Sequence, residues 1–284
     1  MIVQITMTRN ELFLIKEMMP HWQKYADAFV FMDDGSSDGT AEWLEEHKDE
    51  FNILSVLRTE NPGDATHKES NVRQKLFDEA FKHSGSIICL DSDEYLDGFI
   101  TKEQLQDALD KNKDILLYCP WIQYTDRNQV RVDGPWRNNF KDRIASYSKT
   151  IEFKKAEMHS EHLPHPGNQG VINAPGLFIA HLQWLDKPTV AVKQYFWKIS
   201  DYVNHLKYGH EVTPASAYDE SVADFDWEYV NFEFDLKVDP EIYSKQNLEE
   251  SYKYKFIKDS IEKYNIPNLN DWGMNIHGDV RHGN

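Results

Sequence analysis

Short apolar runs alternate with amphipathic segments along residues 1–120 of the chain. "IVQITM" (2–7), "AFVFM" (28–32), "NILSVL" (52–57), "SIICL" (86–90) and "DILLYCPW" (114–121) are short, apolar and bounded by polar residues, and they read as strands. Between them, residues 11–25 are predicted to be helical despite Pro20, and "AEWLEEHKDEF" supplies a second helix. Val72, Leu76, Ala80 and Phe81 recur at helical spacing over residues 68–83. "TKEQLQDALD" opens with Thr101 and Gln104 at the spacing of a capping box. Strands alternating with helices of this length predict an α/β fold, a mostly parallel sheet with helices on both faces. In such sheets ligands bind beyond the carboxyl ends of the strands.

After residue 121 the alternation stops. Residues 122–180 are richer in Gly, Pro, His and Arg and read as irregular strands and loops. Residues 187–208 read as a helix whose aromatics (Tyr195, Phe196, Trp197, Tyr202) suit a core better than a sugar-stacking platform. From about residue 214 acidic and aromatic positions mix, with one more helix expected around 247–264 and a frayed end at "NIHGDVRHGN". A C-terminal helical and irregular extension is therefore expected beyond the sheet.

Composition narrows the classes. Apolar residues make up 40% of the 284 and aromatics 13%, which is enough for a sizeable core. The 31 basic and 48 acidic side chains give a net charge of −17, with no Lys/Arg stripe, which argues against binding a nucleic-acid backbone. A protein this negative that handles anionic ligands needs local positive charge, for example a divalent cation. Cys89 and Cys119 lie in apolar runs and read as buried, reduced thiols. "MIVQITMTRNE" turns polar too soon for a signal peptide, and no apolar stretch approaches the ~20 residues that span a bilayer. A soluble cytoplasmic protein is expected, with peripheral membrane contact still open.

Two acidic stretches follow predicted strands and should open onto one rim. In "FMDDGSSDGT" the small residues make a turn, Ser36, Ser37 or Asp38 is placed to cap the next helix, and Asp33 and Asp34 are placed to accept hydrogen bonds from a base or ribose. In "CLDSDEYL" Asp91 and Asp93 point to one side of an extended backbone, and two carboxylates so placed repel unless a positive group joins them. Hard divalent ions favour such oxygen ligands. Further on, "AEMHSEHLPHPGN" gathers Glu157, His159, Glu161, His162 and His165, which match no strong zinc spacing and cannot share a helix with Pro164 and Pro166.

Together "MTRNE", "DDGSSDGT" and "LDSDEYL" resemble glycosyltransferase family 2. The segment "ESNVRQKLFDEAFKHSGSIICLDSDEYL" is similar to the family's stretch in which an Arg-bearing helix leads into the Asp-x-Asp strand. The form LDxDE resembles the branch that includes lipopolysaccharide-core transferases. The resemblance implies a GT-A fold over 1–210, with 1–120 as the nucleotide-sugar half, 121–210 as the acceptor half, and 211–284 as an extension packed on the core. It implies donor contacts from Thr8, Asn10, Asp33, Asp34, Arg73, Asp91 and Ser92, and a metal, Mn²⁺ or Mg²⁺, held chiefly by Asp93. His181, after the apolar run of "FIAHLQW", is the second metal candidate. An inverting transfer to a glycan, lipid-linked glycan or other hydroxyl acceptor also needs a base. Glu161 leads, followed by His162 and Glu157, while Glu94 reads as a supporting acid and Lys187 and Lys193 as phosphate contacts or solvated lysines. The rival readings are a non-catalytic nucleotide-sugar-binding module, a zinc hydrolase built on "HSEHLPH", and a nucleotidyltransferase, which "MTRNEL" disfavours by lacking glycine.

Overall fold

The computed structural model describes residues 1–126, 129–133, 136–137, 139–167, 171–174, 176–210, 218, 228–231, 238–239, 241–243 and 247–266. The chain divides into two compact units, one of residues 1–122 with 138–181, the other of 123–137 with 182–284.

The first unit is built on a sheet whose strands β1 (Val3–Thr8), β2 (Ala28–Asp33), β3 (Ile53–Arg58) and β4 (Ser86–Cys89) are parallel, in the order β3-β2-β1-β4. Helices α1 (Leu12–Trp22), α2 (Thr40–Glu46), α3 (Lys48–Phe51) and α4 (Glu69–Phe81) occupy the crossovers. The expected single helix after Gly39 is interrupted at His47, and Pro20 lies inside α1 two residues before its end, without the N–H that would bond the Lys16 carbonyl. All six residues of β2 are buried, the mark of a parallel strand covered on both faces. Its alternate residues divide the work. Phe29 and Phe31 meet Trp22 of α1, while Val30 and Met32 join Leu76, Phe77 and Ala80 of α4 in one apolar cluster. Truncating a fully buried side chain such as Leu76 to Ala costs about 2–5 kcal/mol in a core of this kind.

Beyond β4 the chain makes β5 (Glu94–Gly98), α5 (Lys102–Lys111), β6 (from Ile115), β8 (Phe140–Ser146), β9 (Val171–Asn173) and β10 (Leu177–His181). Thr101 and Gln104 form the capping box expected of them. β8 runs antiparallel between β4 and β6, and β10 pairs antiparallel with β5. The sequence reading assigns no element to the stretch after "DSDE", yet Tyr95 and Leu96 are buried there and make a strand. Cys89 and Cys119 are free and buried, and burial pushes both thiols up to about 12.

In the second unit, α6 (Lys187–Tyr208) opens on Asp186, whose carboxylate accepts from the Thr189 N–H, and closes on Gly209 in the left-handed conformation. It packs against α7 (Tyr252–Tyr264) through Phe196, Ile199, Val203 and Ile257, so these aromatics serve a core as expected. A short strand β7 (Gln129–Arg131) pairs with β11 (Tyr229–Asn231). Residues 275–284, expected to fray, lie outside the described residues. Among the described residues, no helix is long and apolar enough to cross a membrane.

Candidate functional site

Because β1, β2 and β4 are parallel and adjacent, their carboxyl ends place Thr8, the pair Asp33–Asp34 and the loop 90–93 on one edge. Asp33 is fully buried and folds back on its own turn, its carboxylate accepting from the backbone N–H groups of Gly35 and Ser36. Asp34 accepts from Thr59 Oγ1 at 2.9 Å and from the Gly63 N–H at 3.1 Å, with the Arg9 guanidinium 3.4 Å away. Burial is the largest influence on it, and it pushes the Asp34 carboxyl above the usual carboxylate range against the pull of Thr59 and Arg9. Asn10 adopts a left-handed φ of 53°. From there its N–H donates to Ser36 Oγ at 2.8 Å, and its Oδ1 accepts from the Ser37 N–H at 2.6 Å. Asp38, rather than Ser36 or Ser37, ties the helix starts together, accepting from Thr40 and from the Leu12 N–H. Among the described residues the buried hydroxyls of Thr8 and Ser92 have no hydrogen-bond partner, which suits atoms reserved for a ligand.

The second acidic stretch is organised by arginine. Arg143, on β8 and only 1% exposed, grips Glu94 with Nε at 3.0 Å and Nη2 at 2.7 Å, and its Nη2 lies 3.5 Å from Asp91. Glu94 also accepts from the Asp91 N–H and from Trp121 Nε1, so both of its oxygens are fully used. Arg73 is buried on α4, held by Glu69 through two contacts of 2.8 Å, with Nη1 directed at Cys89 Sγ. It is therefore an interior charge rather than a solvated helix residue.

His162 Nε2 lies 3.3 Å from Asp91 Oδ2, which brings the irregular segment 151–165 to the Asp-x-Asp loop. Burial first, and then the neighbouring Arg143 and Arg73, hold the imidazole well below its ordinary value, so His162 is neutral near pH 7. Burial alone would raise the Asp91 carboxyl, but His162, Arg143 and Arg73 together hold it well below the usual range. Glu161 meets Lys154 through Oε1 at 3.3 Å, while its buried Oε2 has no partner. Glu157 gives its carbonyl to the Glu69 N–H.

Asp93, just before β5, meets His181 at the end of β10. Asp93 Oδ2 lies 3.3 Å from His181 Nε2, both side chains are buried, and the imidazole stacks on Trp121 at 4.5 Å between ring centres. Among the described residues no cluster of three or more His, Cys, Asp and Glu side chains stands ready to hold a metal ion. The pair itself, one carboxylate and one imidazole, has the donor chemistry that Mn²⁺ accepts.

Over residues 14–172, more than half of its length, the chain matches the family model described as Glycosyl transferase family 2. The chain belongs to that family. Its fold is mixed α/β, with a mostly parallel central sheet flanked by helices. TarS of S. aureus is similar at 17% identity and a TM-score of 0.45, over 79% of this chain and 42% of the other. TarS 1-349 in complex with UDP gives 16% and 0.44, over 79% and 70%. The mannosyltransferase PcManGT from Pyrobaculum calidifontis, in complex with GDP-Man and Mn²⁺, gives 13% and 0.42, over 94% and 75%. The chain thus spans less than half the length of the first of these TarS chains. No curated protein matches it.

The family 2 site also contains residues that sequence reasoning missed. Arg143 and Glu69 carry no motif. Arg143 stands in "FKDRIAS", where no alternation of apolar and polar positions marks the strand it belongs to. Trp121 ends the fifth predicted strand, and nothing local shows that it would lie against His181.

Proposed function

We propose that the protein is an inverting, divalent-cation-dependent transferase that moves a sugar from a nucleoside-diphosphate donor to a hydroxyl of a glycan or lipid-linked glycan. The LDxDE form of its second acidic stretch further suggests the lipopolysaccharide-core branch of the family. The observation that carries this reading is the meeting of Asp91 with His162 and of Asp93 with His181 at the carboxyl ends of parallel strands. Thr8, Asn10, Asp33 and Asp34 would frame the base and ribose, with Asp91 and Ser92 on the ribose side. Residues 1–120 form the donor half in this reading and 121–210 the acceptor half.

Asp93 and His181 would hold the cation, which when bound supplies Lewis-acid stabilisation of the diphosphate leaving group. Arg73 adds positive charge on the same side, and it acts without reorganising because it is already fixed by Glu69. On the acceptor side, Glu161 is placed to take the hydroxyl proton on its unpartnered Oε2. His162, neutral and resting on Asp91, is a hydrogen-bond acceptor at neutral pH and the alternative base. Attack from the face opposite the leaving diphosphate inverts the anomeric centre.

Calorimetric titration of UDP, GDP, dTDP and CDP, each with and without Mn²⁺, tests the donor site. Binding of one nucleotide that requires the metal and is lost in Asp93→Ala is expected. No binding of any nucleotide in either condition would remove the transferase reading.

A further inference from the structure

Glu69 occupies the first turn of α4, where an acidic residue and an Arg four positions on are ordinary helix furniture. Two observations set it apart. It is only 7% exposed, and its two carboxylate oxygens serve different parts of the site. Oε1 accepts from Arg73 Nε and Nη2 at 2.8 Å each, while Oε2 accepts from the backbone N–H of Ser160 at 3.1 Å. The backbone continues the same seam. The Glu69 N–H donates to the Glu157 carbonyl at 3.0 Å, the Ser70 N–H to the Ala156 carbonyl at 3.2 Å, and Ser70 Oγ accepts from the Ala156 N–H at 3.1 Å. The Ser160, Glu157 and Ala156 bonds all fix the segment that carries Glu157, Glu161 and His162, and Arg73 is the cation that Glu69 holds at the same seam.

The segment needs such a clamp. It has no regular secondary structure between residues 151 and 165, and His159 stands at a left-handed φ of 55°, a conformation that a non-glycine side chain disfavours. Its own backbone hydrogen bonds cannot hold it, so partners outside it must. Tyr147 anchors the far end by donating to the Pro164 carbonyl at 2.8 Å. Between Ala156 and Pro164, Glu69 is the charged residue that grips the main chain next to Glu161.

We propose that Glu69 is a positioning residue that fixes the proton-accepting segment 157–162 in register with the donor site, by holding the Arg73 guanidinium on one oxygen and the Ser160 amide on the other. This rests on the transferase reading above. The two contacts from Arg73 keep the Glu69 side chain aimed, so the two functions are held by a single carboxylate. Of the donor contacts named above only Arg73 passes through Glu69, and its guanidinium is also directed at Cys89, so the loss of Glu69 should disturb catalysis more than donor affinity.

The test uses the full chain with Glu69→Gln and Glu69→Ala. Glutamine keeps the side-chain volume and one acceptor oxygen, which guards against simple misfolding. Hydrogen–deuterium exchange of the 156–163 region, affinity for the nucleoside diphosphate selected by titration, and hydrolysis of the corresponding nucleotide sugar with water as acceptor are measured on each. Exchange at 156–163 is expected to rise about tenfold in Glu69→Ala, and less in Glu69→Gln, with β1 and β4 unchanged. Nucleotide affinity should move less than threefold while turnover falls tenfold or more. Exchange that rises equally across β1, β4 and the segment would reduce Glu69 to a stability residue and overturn the proposal. So would a looser segment with unchanged turnover. Absence of nucleotide binding in the wild-type protein would instead sink the transferase reading, and the exchange data would then judge the clamp on their own.

Discussion

The two acidic strand ends, Asp33–Asp34 and Asp91–Glu94, look alike in sequence and are stabilised by different physics. The first is satisfied mainly by dipoles. Asp33 takes backbone N–H groups of its own turn, and Asp34 takes Thr59, the Gly63 amide and a partly exposed Arg9. The second is satisfied by full charges, with the buried Arg143 shared between Glu94 and Asp91 and Arg73 close behind. A turn supplies its own donors within a few residues. A crowded set of carboxylates on an extended backbone cannot, and its counter-charge comes from a strand some fifty positions later in the chain. Part of the positive charge that "DSDE" demands is therefore built in, while Asp93 turns instead to the His181 imidazole.

The difference predicts unequal sensitivity. Arg143→Met leaves Glu94 buried and unpaired, and should lower the unfolding free energy by about 3–5 kcal/mol, read from the urea midpoint. A loss below 1 kcal/mol would mean that water reaches Glu94 and that the contrast is overdrawn. Asp33→Asn keeps an oxygen for the turn and should cost only about 1 kcal/mol by the same measurement.

Titration sharpens the comparison because the two ends have opposite signs. The Asp34 carboxyl is raised by burial, so the folded state binds its proton more tightly than the unfolded chain does. Its contribution to stability therefore falls as pH rises from the unfolded value toward the raised folded one, and Asp34→Asn should flatten that limb of a stability-versus-pH curve. The Asp91 carboxyl is depressed, so its contribution is present above the unfolded value and is lost as pH falls through the folded one. An Asp34→Asn curve that matches wild type throughout would show that Thr59, Gly63 and Arg9 fully offset burial. The smallest effect belongs to a region with neither acidic cluster. Thr101→Ala removes half of the capping box of α5 and should cost about 1 kcal/mol, visible as a small drop in the melting temperature.

How much of this was legible in the sequence follows the range of the interaction concerned. The parallel strands, α4, α6 and the Thr101 cap depend on local pattern, and they stand within a few residues of where the pattern puts them. The Asp91, Asp93 and His181 positions come from motif and spacing, and the structure brings Asp93 and His181 to 3.3 Å. Arg143 and Glu69 act through partners 49 and 91 positions away, and a buried charge leaves no local trace when its partner is remote. Strand β5 was hidden for a related reason: its pairing partner is β10, some eighty residues downstream.

Trp121 gives the site a property of another kind. Its indole lies under the His181 ring, carries the Lys141 ammonium 4.6 Å from its ring centre, and donates to Glu94. A ring so covered is unavailable as a platform for a sugar, but it is well placed to emit light that depends on its neighbours. Protonated imidazole quenches indole fluorescence, and a cation drawn to His181 changes the field across the ring. With the other seven of the eight tryptophans replaced by phenylalanine where the fold permits, this single chromophore becomes an optical test of whether the proposed cation binds at Asp93 and His181.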